Sequence, residues 1–347
     1  MKKICICGHF GENNNFTDGQ TVKTQNIYEV LEKQYGLQNI DKIDTYNWKK
    51  KPFYFFGDCV KKAKNSENLI ILPAQNGVKV FIPLFTFLNK FYKKNVFYAV
   101  VGGWLPELLK SNKRLLKRAK QLTKIFVETN KMKQKLNELG LENVEILLNF
   151  KNIHPIKENE IEDVDYTQLK VCTFSRVIEE KGIENAINVV NKINEDYKKA
   201  IYKLDIYGPI DNGYKEKFDN IMKKQNIFNI CYGGVIDSKK SVETIKEYDL
   251  LLFPTYYEGE GLAGTIIDAF SAGVPVVASD WRYNKDIIKN GETGFIFKTK
   301  NDDEFEKILR DVYLKKYNIL DMKKMCLKEA EKYMPDVAIK AITKYIK

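Results

Sequence analysis

The sequence predicts an α/β protein built from two doubly wound, mostly parallel sheets that face each other across a cleft. Three observations lead there. At 347 residues the chain is long enough for two domains of ordinary size, each with its own core. Short apolar runs alternate with helical patterns along its whole length, as in parallel sheets with helices on both faces. The polar, acidic stretch KENEIEDVDYTQ (157–168) has little to bury and divides that alternation into two runs. The expected domains are residues 1–160 and 165–333, with a C-terminal helix from about 335 packing back on the first.

The elements follow in order. KICICGH (2–8) is a short apolar run, and a helical stretch follows near Gln20 to Gln34. NLIILPAQ after Glu67, VFYAVVGG (96–103), KIFVETN (124–130) and VEILLNF (144–150) are the next strand candidates, with helical patterns between most of them. After the linker, KVCTFSRV (170–177) precedes an amphipathic helix in which Ile183, Ala186, Ile187, Val190 and Ile193 recur at helical spacing. YKLDIYGP (202–209), IFNICYGG (227–234), YDLLLFPTYY (248–257), VPVVASD (274–280) and TGFIFK (293–298) are the strands of the second run. Helices close the chain, interrupted at Met334-Pro335.

Composition narrows the function classes. A hydrophobic content of 44% and a charged content of 30% suit a soluble globular protein. The start MKKICICGHF is too short in apolar residues for a signal peptide, and the most apolar window (80–92) is too short for a membrane span. A cytoplasmic protein is expected. The six cysteines are scattered, without a CxxC pair or a nearby histidine, and read as small buried hydrophobes rather than metal ligands. The net charge of +11 is mostly lysine spread along the chain, and no nucleic-acid-binding signature accompanies it. One basic cluster, residues 110–124, suits either anionic lipid headgroups at the inner leaflet of a cell membrane or a solvated helix face.

Ligands of doubly wound sheets bind beyond the carboxyl ends of the strands, so the loops there are where chemistry is expected. The segment EGEGLAGTIID (258–268) leaves one such strand. A helix is expected to begin near Ala263 or Gly264, with Ile267 and Phe270 facing the core and Gly264, Thr265, Asp268 and Ala272 on another face. Small residues let a ligand approach the backbone, and the unpaired amides of a helix start favour a diphosphate. Asp268, one turn deeper, suits the hydroxyls of a ribose; Glu260, at the lip, suits those of a sugar beyond the diphosphate. In SRVIEEKG (175–182), Arg176 and Lys181 are placed to neutralise a diphosphate and stabilise it as a leaving group. The plainer reading of that pair is a surface salt bridge with Glu179 or Glu180.

In order and spacing, RVIEEKGIENAI, IYGP, YGGV, LLLFPTYYEGEG, DAFSAGVPVVASD and NKDIIKNGETGFIF resemble the C-terminal domain of retaining GT-B glycosyltransferases of family 4, the group 1 transferases. The resemblance covers roughly residues 165–333. It implies two Rossmann-like domains and transfer of a sugar from a nucleotide-sugar donor with retention at the anomeric carbon. It further implies no metal and no cofactor, the UDP- or GDP-linked sugar being substrate. Carried onto this sequence, it implies catalytic roles for Arg176 and Lys181 on the donor diphosphate and for Glu260 on the donor sugar. Asp268 would hold the ribose, with Gly261, Leu262, Ala263, Gly264 and Thr265 between them in the donor segment. Gly208 lies in IYGP, and Gly234, Val235 and Ile236 fall in the segment whose backbone meets the nucleobase. The motif style is that of bacterial capsular and exopolysaccharide enzymes, which implies a saccharide or lipid-linked saccharide acceptor. Two positions depart from the family: Asp268 and Asp286 stand where glutamate is usual, one methylene shorter with charge and acceptors kept.

In the first domain, the loop GHFGENNNFTDGQTVKT (8–24) occupies the place where family members reach donor phosphate and acceptor, with Gly19, Gln20 and Thr21 as candidates. Gly103 and Trp104 follow a strand, and Trp104 is positioned either to stack on an acceptor sugar or to cap the core. His9 and His154 are the only histidines. A proton-accepting role for the leaving diphosphate itself fits the lack of a clear base. Three other readings remain open. A nicotinamide-dependent oxidoreductase needs G-x-G-x-x-G, which GHFGEN does not match. A metal-dependent transferase would use Asp163 and Asp165, which lie in the linker. A degenerate transferase would bind sugar nucleotide as a partner subunit without turnover.

Overall fold

The computed structural model describes residues 1–11, 18–152, 154–224 and 229–346. The chain divides into two compact units: Met1–Asn152 with Tyr333–Lys347, and Ile153–Lys332.

In the first unit the strands are β1 (Lys2–Gly8), β2 (Ile40–Asp44), β3 (Ser66–Ile71), β4 (Asn95–Ala99), β5 (Lys124–Val127) and β6 (Val144–Ile146). Between and after them run α1 (Gly19–Tyr35), α2 (Pro52–Asn65), α3 (Gln75–Tyr92), α4 (Leu105–Ser111), α5 (Lys113–Ala119) and α6 (Asn130–Glu138). The strands pair in parallel in the order β2-β1-β3-β4-β5-β6. β1 is buried on both faces, so its sequence is a continuous apolar run rather than an alternation. β2 is the strand the sequence pattern hides. It lies at the sheet edge, and IDKID buries Ile40 and Ile43, a spacing of three instead of two. The aromatic stretch after Lys51 opens α2 with Pro52 at its first position, where the missing N–H costs nothing. Phe55 turns into the core, while Phe53 and Tyr54 stay exposed.

The second unit holds β7 (Leu169–Phe174), β8 (Tyr202–Tyr207), β9 (Ile230–Gly234), β10 (Leu250–Phe253), β11 (Val276–Ser279) and β12 (Gly294–Phe297). Its helices are α7 (Ile183–Asp196), α8 (Lys215–Lys224), α9 (Ser241–Ile245), α10 (Gly264–Ser271), α11 (Asn284–Ile287), α12 (Asp302–Tyr313) and α13 (Ile319–Ala330). The sheet is again parallel, ordered β12-β11-β10-β7-β8-β9. On α7 the five residues at helical spacing are all buried, packed against β8 and α12. The chain then returns to the first unit through α14 (Pro335–Ala338) and α15 (Lys340–Thr343). There Ala338, Ile339, Ile342 and Ile346 join Ile4, Ile27, Ile70, Phe97 and Phe126 in one core.

Five cysteines are buried, and burial pushes the thiols of Cys5, Cys7 and Cys172 up. Cys231 departs from the expectation of burial: it sits on β9, the edge strand, and is exposed. Among the described residues, no helix is long and apolar enough to cross a membrane.

The order of the second sheet marks the place where doubly wound sheets bind their ligands. From β7 the chain winds outward through β8 and β9, then crosses back to β10 on the other side of β7. The strand order therefore reverses between β7 and β10, and in a doubly wound sheet ligands bind beyond the carboxyl ends of the strands at such a reversal.

Candidate functional site

Both loops at that reversal carry the residues singled out in the sequence. The loop after β7 contains Arg176 and ends at Lys181; the loop after β10 contains Glu260 and runs into α10. Lys181 is buried, and its Nζ lies 2.5 Å from Glu260 Oε2. Thr255 Oγ1 donates to the same carboxylate oxygen at 3.1 Å. The ammonium also stands 5.3 Å from the ring centre of Phe253 and 5.1 Å from that of Tyr257. Arg176 lies 5.3 Å from the Tyr257 ring centre. Tyr257 thus holds two cations near one aromatic ring. The surface-pair reading of Lys181 is overturned: Glu179 pairs with Lys217 instead, and Lys181 turns inward.

The backbone explains how these groups come together. At Gly182, φ is +69°, and a Cβ there would meet the Pro254 carbonyl oxygen at 2.3 Å. Only glycine lets the end of the β7 loop close onto the start of the β10 loop. The Tyr256 N–H donates to the Glu180 carbonyl at 2.7 Å and ties the two loops directly. Gly208 does the same on the other side of β7. Its φ is +133°, and a Cβ would lie 1.8 Å from the Ser175 carbonyl oxygen. Its N–H donates to the Gly234 carbonyl at 2.9 Å, and its own carbonyl accepts from the Tyr232 hydroxyl. The IYGP and YGGV segments are thereby fixed beside Arg176, with Val235 exposed and Ile236 half-buried.

α10 starts at Gly264, preceded by Ala263, which offers no side-chain cap to the amides of the first turn. The Thr265 hydroxyl at this start is shielded from solvent and has no hydrogen-bond partner among the described residues. Gly261, Leu262 and Ala263 are buried, and Asp268 is buried one turn into the helix. Asp286 is exposed in the first turn of α11. A separate clasp crosses the β10 loop from β11's end: Trp281 Nε1 donates to the Tyr257 carbonyl at 2.7 Å, and Arg282 pairs with Glu258. At the same strand end, Asp280 is pulled in two directions. Burial pushes its carboxyl up, but the Thr299 hydroxyl and N–H and the Lys285 ammonium outweigh that and hold it at about 2.

In the first unit, Gly19, Gln20 and Thr21 form the first turn of α1, capped by Asp18. Gln20 Nε2 donates to the Leu72 carbonyl at 3.0 Å, linking the start of α1 to the end of β3. Thr21 Oγ1 donates to Asp18 at 2.7 Å and lies 2.7 Å from His9 Nδ1. With its hydroxyl hydrogen directed at Asp18, Thr21 Oγ1 is left to accept from His9 Nδ1 in the tautomer that carries a hydrogen there. Gly103 is buried, and Trp104 is half-buried at the start of α4. Residues 12–17 of the first loop lie outside the described residues.

Sequence reading missed Phe253, Thr255 and Tyr257 as the walls around Lys181; their place directly after β10, in FPTYY, was the available signal. It also missed Lys23, buried on α1 and 2.5 Å from Glu128 beyond β5, because both residues look like ordinary surface charges in the sequence. Among the described residues, no group of three or more His, Cys, Asp or Glu side chains is placed to hold a metal ion.

Comparison with known proteins gives concordant results. The profile of the family described as "Glycosyl transferases group 1" matches residues 156–333. An uncharacterized glycosyltransferase of Methanocaldococcus jannaschii, MJ1069, is 25% identical over 154 residues, 44% of this chain and 38% of the relative. An uncharacterized 41.2 kDa protein in the cps region of Klebsiella pneumoniae is 27% identical over 183 residues, 53% of this chain and 46% of the relative. The matches thus span less than half the length of these curated relatives. Among solved structures, Anabaena Alr3699/HepE in complex with UDP superposes with a TM-score of 0.74 at 13% identity, covering 100% of this chain and 99% of that one. Two parallel six-stranded sheets flanked by helices, together with this superposition, make the fold GT-B.

Proposed function

This chain belongs to the group 1 glycosyl transferases, of the family 4 type, and from that premise we propose that it moves a sugar with retention from a nucleotide-sugar donor to a saccharide or lipid-linked saccharide. The observation that carries the donor reading is the start of α10. Uncapped amides and a shielded, unpartnered Thr265 hydroxyl converge there, beside the loops that hold Arg176 and Lys181. Such a set of donors suits a diphosphate.

In this reading, the diphosphate lies against the start of α10, and Arg176 and Lys181 neutralise it. Lysine has three donors, and Glu260 takes one, leaving the ammonium able to face phosphate as well. Glu260 keeps further acceptor sites for the sugar hydroxyls, and Asp268 holds the ribose. The bond between the anomeric carbon and the phosphate oxygen breaks, and its electron pair leaves with the nucleotide diphosphate. The acceptor oxygen bonds to the same face of the anomeric carbon, and its proton passes to the departing phosphate. The cations stabilise the charge that develops on that leaving group. Gly19, Gln20 and Thr21, with Gly103 and Trp104, are the groups proposed to touch the acceptor.

UDP in HepE supports a uridine donor, with GDP as the other candidate, and the Klebsiella cps-region relative supports a place in surface polysaccharide synthesis. The test is a thermal-shift screen with UDP-, GDP- and dTDP-sugars, followed by turnover of the stabilising donor with and without excess EDTA. Stabilisation by one donor class and turnover unchanged in EDTA are expected. Binding without any turnover makes the chain a sugar-nucleotide-binding subunit; turnover lost in EDTA makes the reaction metal-dependent.

A further inference from the structure

The first unit carries a concavity of about 540 Å³ between α3 and α5. Five of its lining side chains are cations: Lys79 and Lys90 from α3, and Arg114, Lys117 and Arg118 from α5. None of the five takes part in an ion pair within the described residues. The reason lies in the sequence. Glu107 is the only acid between Glu67 and Glu128, a stretch with eleven lysines and arginines, and Lys135 neutralises it. A folded surface that gathers like charges without counter-charges loses stability through self-repulsion, so this one calls for an external anion.

Beside the cations the same helix exposes an apolar pair. Phe87 follows Pro83 of the concavity by one turn, and Phe91 follows Phe87 by another. They are 51% and 67% exposed and pack edge to face at 5.4 Å between ring centres. Two rings packed on one another make an apolar knob, whereas single-stranded nucleic acid calls for separate ring faces on which bases stack. Cations that reach phosphates, next to aromatic side chains that enter the acyl boundary, are the two components of an interfacial lipid contact.

We propose that the α3–α5 face of the first unit is a docking surface for an anionic lipid bilayer, with the five cations on lipid phosphates and Phe87 and Phe91 in the interface. The surface uses no donor-site residue. Its failure and the failure of the transferase reading therefore show up in separate measurements, vesicle binding and donor turnover.

The experiment is co-sedimentation of the full chain with vesicles of phosphatidylcholine alone, or with about one third phosphatidylglycerol. Binding only to the anionic vesicles, weakened by salt, is expected. The pair Arg114→Gln and Lys117→Gln should weaken it about thirtyfold. Both residues are exposed, and circular dichroism checks that the fold is kept. A Phe87→Trp variant should shift its emission to the blue on anionic vesicles. Equal binding to neutral vesicles, undiminished binding of the double variant, or an unshifted Phe87→Trp emission overturns the proposal. So does tighter binding to a single-stranded RNA oligonucleotide than to the vesicles.

Discussion

Lys181 and Glu260 form a buried ion pair that bridges the two loops on either side of the strand-order reversal, with Nζ and Oε2 2.5 Å apart. Removing one partner leaves the other charged and desolvated, at a cost of about 3–5 kcal/mol. Lys181→Ala and Glu260→Ala should therefore each lower the urea midpoint of the second unit as well as turnover. The double replacement Lys181→Met with Glu260→Met should recover most of the stability and none of the turnover. Wild-type turnover in either single variant removes that residue from the site.

Asp268 is buried one turn inside α10, where a carboxylate would accept from the ribose hydroxyls. Asp268→Asn keeps the volume and loses the charge. A charged acceptor is worth about 1 kcal/mol more than a neutral one, so the donor KM should rise roughly fivefold, with kcat changed much less. An unchanged KM contradicts the ribose role.

Gly208 and Gly19 are both site candidates, and the backbone separates them. A Cβ on Gly208 would collide with the Ser175 carbonyl in a left-handed conformation, whereas one on Gly19 would meet nothing within 4 Å. Gly208→Ala should cost about 3 kcal/mol or more and disturb the loop that carries Arg176. Gly19→Ala should leave stability within about 0.5 kcal/mol. Chemical denaturation of the two variants side by side checks this.

Asp280 gives the second unit an acid-sensitive element. Its carboxyl stands at about 2 in the fold, below the ordinary value of about 3.9 in the unfolded chain. A depressed carboxylate stabilises the fold above its unfolded value, and that contribution disappears as pH falls from about 4 toward 2. Discounted for its partial exposure, the contribution is on the order of 1 kcal/mol. Asp280→Asn should lower the denaturation midpoint at neutral pH and narrow its gap from the wild type near pH 2. A gap of constant size across that range contradicts the assignment.

The strands buried on both faces were legible in the sequence because such strands are unbroken apolar runs, as in LLLF of β10 and VVAS of β11. β2 was not, since an edge strand needs only Ile40 and Ile43 on the inside. Legibility of the site followed the same rule. Arg176, Lys181, Glu260 and Asp268 stand out because charge and glycine cluster next to an apolar run. The partners of Lys181 do not, because nothing local says that residue 181 meets residue 260. That meeting depends on the strand order, with β10 returning beside β7, and on Gly182 allowing the loops to touch. The concavity between α3 and α5 was half legible: the basic run of residues 110–124 was plain, but its facing lysines on α3 come from a different part of the sequence.

The return of α14 and α15 into the first unit has a consequence for synthesis. The six strands of that sheet leave the ribosome with Ile4, Phe97 and Phe126 still lacking the cover that Ile339, Ile342 and Ile346 supply. All of the second unit is translated in between. At about 5–20 residues per second, this interval lasts roughly 10–40 s. The second unit, continuous in the chain, can close first, and the first is left during that time as a nascent sheet with an open apolar seam, a natural client for chaperones at the exit tunnel.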